Sequence, residues 1–334
     1  VTGVALAARL AVVAWAAARF PPAADGTYYQ RIAERIGQGL GYTWLWPDGV
    51  VTYAAHYPVG YPAAVGAVYA LVGPRPGAAM LLNALLGALA AFAAHRLAAR
   101  AAPRRAALLA GLLVALHPGL VAYTPALMTE GVTASLLAAA AAVAAWSAGL
   151  RSRAGAWLGP IAVGAVLGAA TLVRPQSIVL APIFAILAAI APRELNAPAP
   201  ASLPAPPSLP RAALARRALG AAILATLAAL LVCAPWTARN CVRMKRCALV
   251  SVNGGWNLLI GADEASTGAW SPIKVPEACR EVYDEAEKDA CFGREARRYI
   301  RAQPAAWLAL VPRKLAATFD YAGAAGWYLH DANP

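Results

Sequence analysis

Acidic residues are scarce in the first two thirds of this chain: of 16 Asp and Glu, only Asp25, Glu34, Asp48, Glu130 and Glu194 precede residue 236. Charge of either sign is thin as well, at 13% of 334 residues against 60% hydrophobic, with a positive mean hydropathy. A soluble globular domain carries about a quarter charged residues, so this composition excludes one and indicates an all-α polytopic membrane protein. Lys and Arg outnumber the acids, for a net charge of +13. They punctuate apolar runs instead of gathering on one polar face, which excludes a nucleic-acid-binding domain. Also lacking are a CxxC or nearby His pair for a zinc site, the glycine spacing of a P-loop or dinucleotide fingerprint, and an internal repeat. The chain starts without Met and stops at Asp331-Ala332-Asn333-Pro334, so both ends are expected to be cut from a longer protein.

What is present is a series of apolar runs of roughly 17–25 residues, enough to cross about 30 Å of hydrocarbon. They fall near 1–19, 77–95, 105–121, 126–149, 155–173, 176–192 and 212–234, about seven spans. Because equally apolar runs follow it, the first is read as a span and not as a signal peptide. Orientation follows the basic residues: Arg96, Arg100, Arg104 and Arg105, then Arg151 and Arg153, then Arg193, Arg211, Arg216 and Arg217, mark three cytoplasmic connections. The first loop, 20–76, the turns at 117–126 and 173–176, and everything after 235 then face the extracytoplasmic side. The apolar stretch 61–73 is too short to span and is expected as an interfacial or re-entrant helix. APAPASLPAPPSLP, 197–210, is expected as a polyproline-like linker. The chain divides into a transmembrane region, 1–236, and an extracytoplasmic loop region, 237–334, with a helix over 277–303 and an interfacial helix over 307–319.

Cys241, Cys247, Cys279 and Cys291 all fall in that outer region, where disulfides persist. Of three possible pairings, Cys241–Cys247 with Cys279–Cys291 closes the shortest loops. Unpaired small hydrophobes are the alternative.

Candidate chemistry concentrates at the outer ends of the spans. Asp25, the first acid, follows the helix-stopping Pro21-Pro22 and precedes Tyr28 and Tyr29. A carboxylate at the bilayer edge can serve as a general base for a lipid-borne substrate; it can equally be a helix N-cap above an aromatic belt. HYPVGYP, 56–62, places His56 and Tyr57 in a rigid turn. TPALMTEG, 124–131, sets Glu130 inside the end of a span, where an acid is a functional candidate or a helix-packing hydrogen bonder. In LVRPQS, 172–177, Arg174 is suited to a phosphate or to pairing with an acid such as Glu130. APWTARNCVRMKR, 234–246, brings Arg239, Arg243, Lys245 and Arg246 to headgroup depth, for a lipid phosphate or for snorkelling. SVNGGWNLLIGAD, 251–263, is glycine-rich without a nucleotide-binding pattern.

In order, D-x-x-Y-Y, Y-P-x-x-Y-P, P-A-L-M-T-E, L-V-R-P and P-W-x-x-R-N with N-G-G-x-N-L-x-x-G resemble, over roughly residues 1–265, the GT-C fold glycosyltransferases of the family 39 type. These are the protein mannosyltransferases and the aminoarabinose transferases. The resemblance implies a GT-C type transmembrane helix bundle with juxtamembrane helices and an extracytoplasmic loop region. It implies transfer of a sugar from a polyprenyl phosphate donor to a lipid, protein or polysaccharide acceptor outside the membrane, by inversion. In a bacterial cell that is the inner membrane. It carries the catalytic base to Asp25, the pocket to Tyr28 and Tyr29, the substrate-binding acid of the P-x-L-x-x-E motif to Glu130, and positions near the donor phosphate to Arg174 and Arg239, with Asn240 beside the last. Where the aminoarabinose enzymes have Lys-Pro-Pro, this chain has His56-Tyr57-Pro58, so that specificity does not carry over. No cofactor is required; a divalent metal ion is left open. A secondary transporter would show inverted repeats and helices broken at the midplane, which are not evident; a non-catalytic lipid-binding subunit is the other alternative.

Overall fold

A computed structural model describes residues 1–150, 152, 154–191, 210–268 and 270–319. The chain is an all-α polytopic membrane protein, with one two-stranded hairpin among the described residues.

The bundle is built from α1 (Thr2–Ala16), α4 (Pro76–Ala98), α5 (Arg104–Ala115) with the short α6 (Pro118–Ala122), α7 (Thr129–Ala148), α8 (Gly155–Val173), α9 (Leu180–Ile190) and α10 (Arg211–Arg243). Contacts show them running alternately up and down. Ala17 meets Gly77 at one end of α1, and Val1 meets Gly111 at the other; Gly159 meets Ser147, and Gly164 and Gly168 meet Ala225 and Ala229. Small residues let these backbones approach. A Cβ on Gly164 would lie 2.2 Å from the Ala225 carbonyl oxygen, so only glycine fits there.

Four of the seven expected spans, α4, α7, α8 and α10, are long and apolar enough to cross a membrane; the other three contain shorter helices. The 105–121 run breaks after Ala115 because Pro118 has no N–H to continue the ladder and pushes His117 out of the helical region. The 176–192 run opens as a 3₁₀ turn, Pro175–Val179, for the same reason. The broken end of α5 accounts for a residue the sequence analysis passed over: Arg9 of α1 is fully buried and donates to the Ala115 carbonyl at 2.8 Å and the Ala5 carbonyl at 3.1 Å. A guanidinium there satisfies carbonyls that the proline orphans.

Between α1 and α4 the chain forms α2 (Asp25–Gly37), the hairpin β1 (Thr43–Leu45) and β2 (Val51–Tyr53) with Thr43 opposite Tyr53, and α3 (Gly60–Val72). At 13 residues α3 spans only about 20 Å, in keeping with a helix that does not cross. It lies along α2, where Gly66 comes against Ile36 and Ala33.

Despite Pro235, α10 runs on to Arg243, followed by α11 (Gly254–Ala262), α12 (Glu285–Ala302), α13 (Pro304–Ala309) and α14 (Val311–Thr318). The helix expected over 277–303 therefore starts later. Asp284 caps it, accepting from the Ala286 and Glu287 N–H groups at 3.0 and 2.9 Å, and only a 3₁₀ turn, Glu277–Cys279, precedes it. The expected interfacial helix 307–319 divides at Leu310, ahead of Pro312. The linker expected over 197–210 lies, apart from Pro210, outside the described residues, as do Arg151, Arg153 and Arg193.

The disulfides are Cys241–Cys247 and Cys279–Cys291, with Cys233 free and buried. Closing a loop of about a dozen residues restricts the unfolded chain by about 3 kcal/mol. Replacing Cys279 and Cys291 with Ser is accordingly expected to lower the melting temperature of the region after α10 more than the same change at the shorter Cys241–Cys247 loop. Equal losses would show that loop length is not what matters.

Candidate functional site

One end of the bundle gathers the start of α2, the turn before α3, the start of α7 and the end of α8. Asp25 opens α2 but does not cap it: Ala24 takes the cap position with φ 47°, and no side chain bonds to the helix end. Instead, Asp25 Oδ1 accepts a hydrogen bond from the Tyr57 hydroxyl at 2.6 Å. The N-cap alternative is thereby replaced by a side-chain partner brought from 32 residues away.

Around this pair the aromatic side chains interlock. Tyr28 stacks on Trp44 with centroids 4.6 Å apart, and Tyr57 sits 4.5 Å from Tyr28 and 5.2 Å from Tyr29. Tyr29 also meets Tyr61 edge-on at 5.5 Å. Burial, with Asp25 nearby, raises the proton affinity of the Tyr29 and Tyr57 phenolates, so both hydroxyls stay protonated donors.

The second half of the site is an ion pair. Arg174 is held extended by the following proline and donates from Nη2 to Glu130 Oε1 and from Nε to the Thr129 hydroxyl at 3.0 Å. Thr129 in turn lies beside the Tyr29 hydroxyl. Tyr29 thus connects the pair to Asp25. Glu130 Oε2 is buried and has no hydrogen-bond partner among the described residues. An orphaned buried carboxylate oxygen is costly and calls for a donor.

The other sequence candidates have different surroundings. Arg239 donates to the carbonyls of Ala54 at 2.9 Å and Tyr42 at 2.8 Å, and lies over the Trp236 ring at 4.6 Å. Asn240 is fully buried, donating to the Ala248 and Val250 carbonyls. Both tie neighbouring loops to α10, and Arg239 also acts on the electrostatics of Tyr28. His56 packs edge-on against Tyr57 at 4.9 Å and Trp256 at 5.4 Å. Sequence reasoning missed Trp44, Trp256, Glu285 and Asp289, which complete the surroundings of the turn. Asp289 accepts from the Trp256 N–H at 2.9 Å, and Glu285 accepts from the Ala55 N–H at 2.7 Å. No motif marks them; only the lone acids of an amphipathic helix were visible. Among the described residues no three His, Cys, Asp or Glu side chains come together as a metal site.

Burial lowers the proton affinity of His56, against the opposing pull of Asp289 and Asp25. The unfolded chain, with His near its usual value of about 6.5, takes up a proton that the folded chain resists. Stability should therefore fall as pH drops below about 6.5. His56→Gln should flatten that decline in thermal unfolding between pH 7.5 and 5, while Glu285, whose affinity burial raises, is common to both proteins. Parallel curves would contradict the assignment.

A family model described as dolichyl-phosphate-mannose-protein mannosyltransferase matches residues 56–202, less than half of the chain. The matched segment contains His56, Tyr57, Glu130 and Arg174; Asp25, Tyr28, Tyr29, Arg239 and Asn240 lie before or after it. No curated protein and no solved structure matches. The family match and the helical membrane fold bear out the resemblance carried by the motifs: the chain is similar to the GT-C type membrane glycosyltransferases, which use a lipid-linked sugar.

Proposed function

We propose that this protein transfers a sugar from a polyprenyl phosphate to an acceptor hydroxyl at the extracytoplasmic face of the membrane, with inversion. The observation that carries the proposal is the proximity of two units at one end of the bundle. One is a carboxylate oriented by a tyrosine hydroxyl; the other is an arginine–glutamate pair with one carboxylate oxygen unpartnered.

In this reading Tyr57 holds one oxygen of Asp25, and the other takes the proton from the acceptor hydroxyl. The acceptor oxygen forms its bond to the anomeric carbon as the bond from that carbon to the phosphate oxygen breaks. The electron pair leaves with the polyprenyl phosphate. Arg174 stabilises the growing phosphate charge in a site of low dielectric. Glu130 Oε2 accepts from a sugar hydroxyl, which supplies its missing donor. Tyr28, Tyr29 and Trp44 wall the pocket, and membrane lipids surround it. Sidedness rests on Arg96, Arg100, Arg104, Arg105 and Arg211–Arg217, which belong to the opposite end of the bundle.

The test is incubation of the full-length protein with a panel of polyprenyl-phosphate hexoses and pentoses, following release of free polyprenyl phosphate, with and without EDTA. Turnover that depends on one sugar defines the donor, and loss with EDTA would bring in the divalent ion. No release from any donor, in the presence of lipid, peptide and glycan acceptors, counts against the proposal.

A further inference from the structure

The turn that delivers Tyr57 to Asp25 is held from outside the bundle. Ala54 and Ala55 are almost completely buried, and each peptide group there is tied down. The Ala54 carbonyl accepts from Arg239 at 2.9 Å, the Ala55 carbonyl from the Val252 N–H at 2.8 Å, and the Tyr57 carbonyl from the Tyr42 hydroxyl at 2.8 Å. The Ala54 N–H donates to the Tyr42 carbonyl at 3.3 Å and the Ala55 N–H to Glu285 Oε1 at 2.7 Å, with the His56 N–H also close to that carboxylate.

Glu285 is 230 residues from this turn in sequence. Its own placement is rigidly determined. It is the first residue of α12, immediately after the capping Asp284, and the Cys279–Cys291 disulfide brackets it. Glu285 is partly buried, and a carboxylate accepting a backbone N–H makes a stronger bond than a neutral acceptor would. No arginine or lysine forms a salt bridge with it among the described residues, although Arg239 and Asp284 contribute to its field, and Glu285 in turn to that of Tyr28.

We propose that Glu285 is a positioning residue for transfer: by gripping the Ala55 N–H it sets where the Tyr57 hydroxyl meets Asp25. The proposal rests on the function given above, since it matters to catalysis only if Asp25 is the base. Its physical content is that the outer region serves the reaction by fixing one turn, and that the grip is made by a single side chain. A displacement of about 1 Å at such a contact is worth about a hundredfold in rate.

The experiment uses the full-length protein in detergent and has two readouts. Hydrogen exchange over residues 53–58 needs no substrate: Glu285→Ala should speed it at least about tenfold, consistent with loss of one local opening barrier, and Glu285→Gln, which keeps an oxygen to accept from the Ala55 N–H, should stay near wild type. With the polyprenyl-phosphate sugar that wild type turns over, Glu285→Ala should lower kcat by about 10- to 100-fold with KM nearly unchanged, and Gln should rescue it. In a Tyr57→Phe background, Glu285→Ala should add little, because the two act through one contact. Unchanged exchange, equal losses for Ala and Gln, or additive losses in the double variant would each overturn the proposal. Should the alanine variant not fold, Glu285→Asp, one methylene short of the turn, is read the same way. Full turnover by Asp25→Asn would instead sink the general-base reading, while leaving the exchange result standing.

Discussion

Asp25→Asn is expected to reduce transfer by about 10²–10⁴-fold, the range that a positioned general base contributes. The protein should still reach the membrane and melt near the wild-type temperature. The asparagine carbonyl can accept the Tyr57 hydroxyl as Oδ1 does at 2.6 Å, so the contact between α2 and the turn at 56–58 survives without the charge. What disappears is the group able to take a proton. The loss should therefore fall on kcat with little change in donor KM, the pattern for an interaction made only in the transition state. The measurement is polyprenyl phosphate release by matched amounts of folded protein. Undiminished release would remove Asp25 from the chemistry and leave it a structural partner of Tyr57.

Arg174→Gln is expected to damage both stability and activity, and the two can be separated. Removing one member of a fully buried ion pair costs about 3–5 kcal/mol. Here about a third of each side chain is exposed, so a loss of about 1–3 kcal/mol is expected. Glu130 would then lack its partner on Oε1 as well as on the already orphaned Oε2. The double variant Glu130→Gln, Arg174→Gln removes the stranded charge and should recover most of the melting temperature. Activity should stay down by about a hundredfold or more, because no cation is left for the leaving phosphate. Arg174→Lys should not rescue either property well, since an ammonium lacks the fork that reaches Thr129 and Glu130 together. If the double variant regained activity along with stability, Arg174 would be a counter-ion and nothing more.

The two halves of the site were legible to different degrees. Asp25, Glu130 and Arg174 stood out because a charge at the end of an apolar run is energetically expensive, and the cost is visible without a fold. Tyr57 stood out as part of the Tyr-Pro repeat, but its hydrogen bond to Asp25 did not, since that contact depends on how the first loop folds back. Arg239 and Asn240 were read as substrate contacts from their motif. The structure surrounds them with the carbonyls of Tyr42, Ala54, Ala248 and Val250, groups with no signature in sequence. Arg9 was hidden for a related reason: one arginine in an alanine-rich helix gives no hint that a proline 109 residues later leaves it carbonyls to satisfy.

Composition and periodicity by themselves determined that this is a helical membrane protein, where its apolar segments run, and which ends of them carry the basic connections. These are local properties: the bilayer's demand for internally bonded backbone and apolar surface acts on each segment in turn. The two disulfides also followed from sequence, because cysteines near one another in the chain close the shortest rings. Only the tertiary structure decided which apolar runs break, that Arg174 answers Glu130, that Tyr29 joins that pair to Asp25, and that Glu285 grips the turn beside them. Each of these joins residues far apart in the chain, and such contacts arise from the way helices pack, which no single segment encodes.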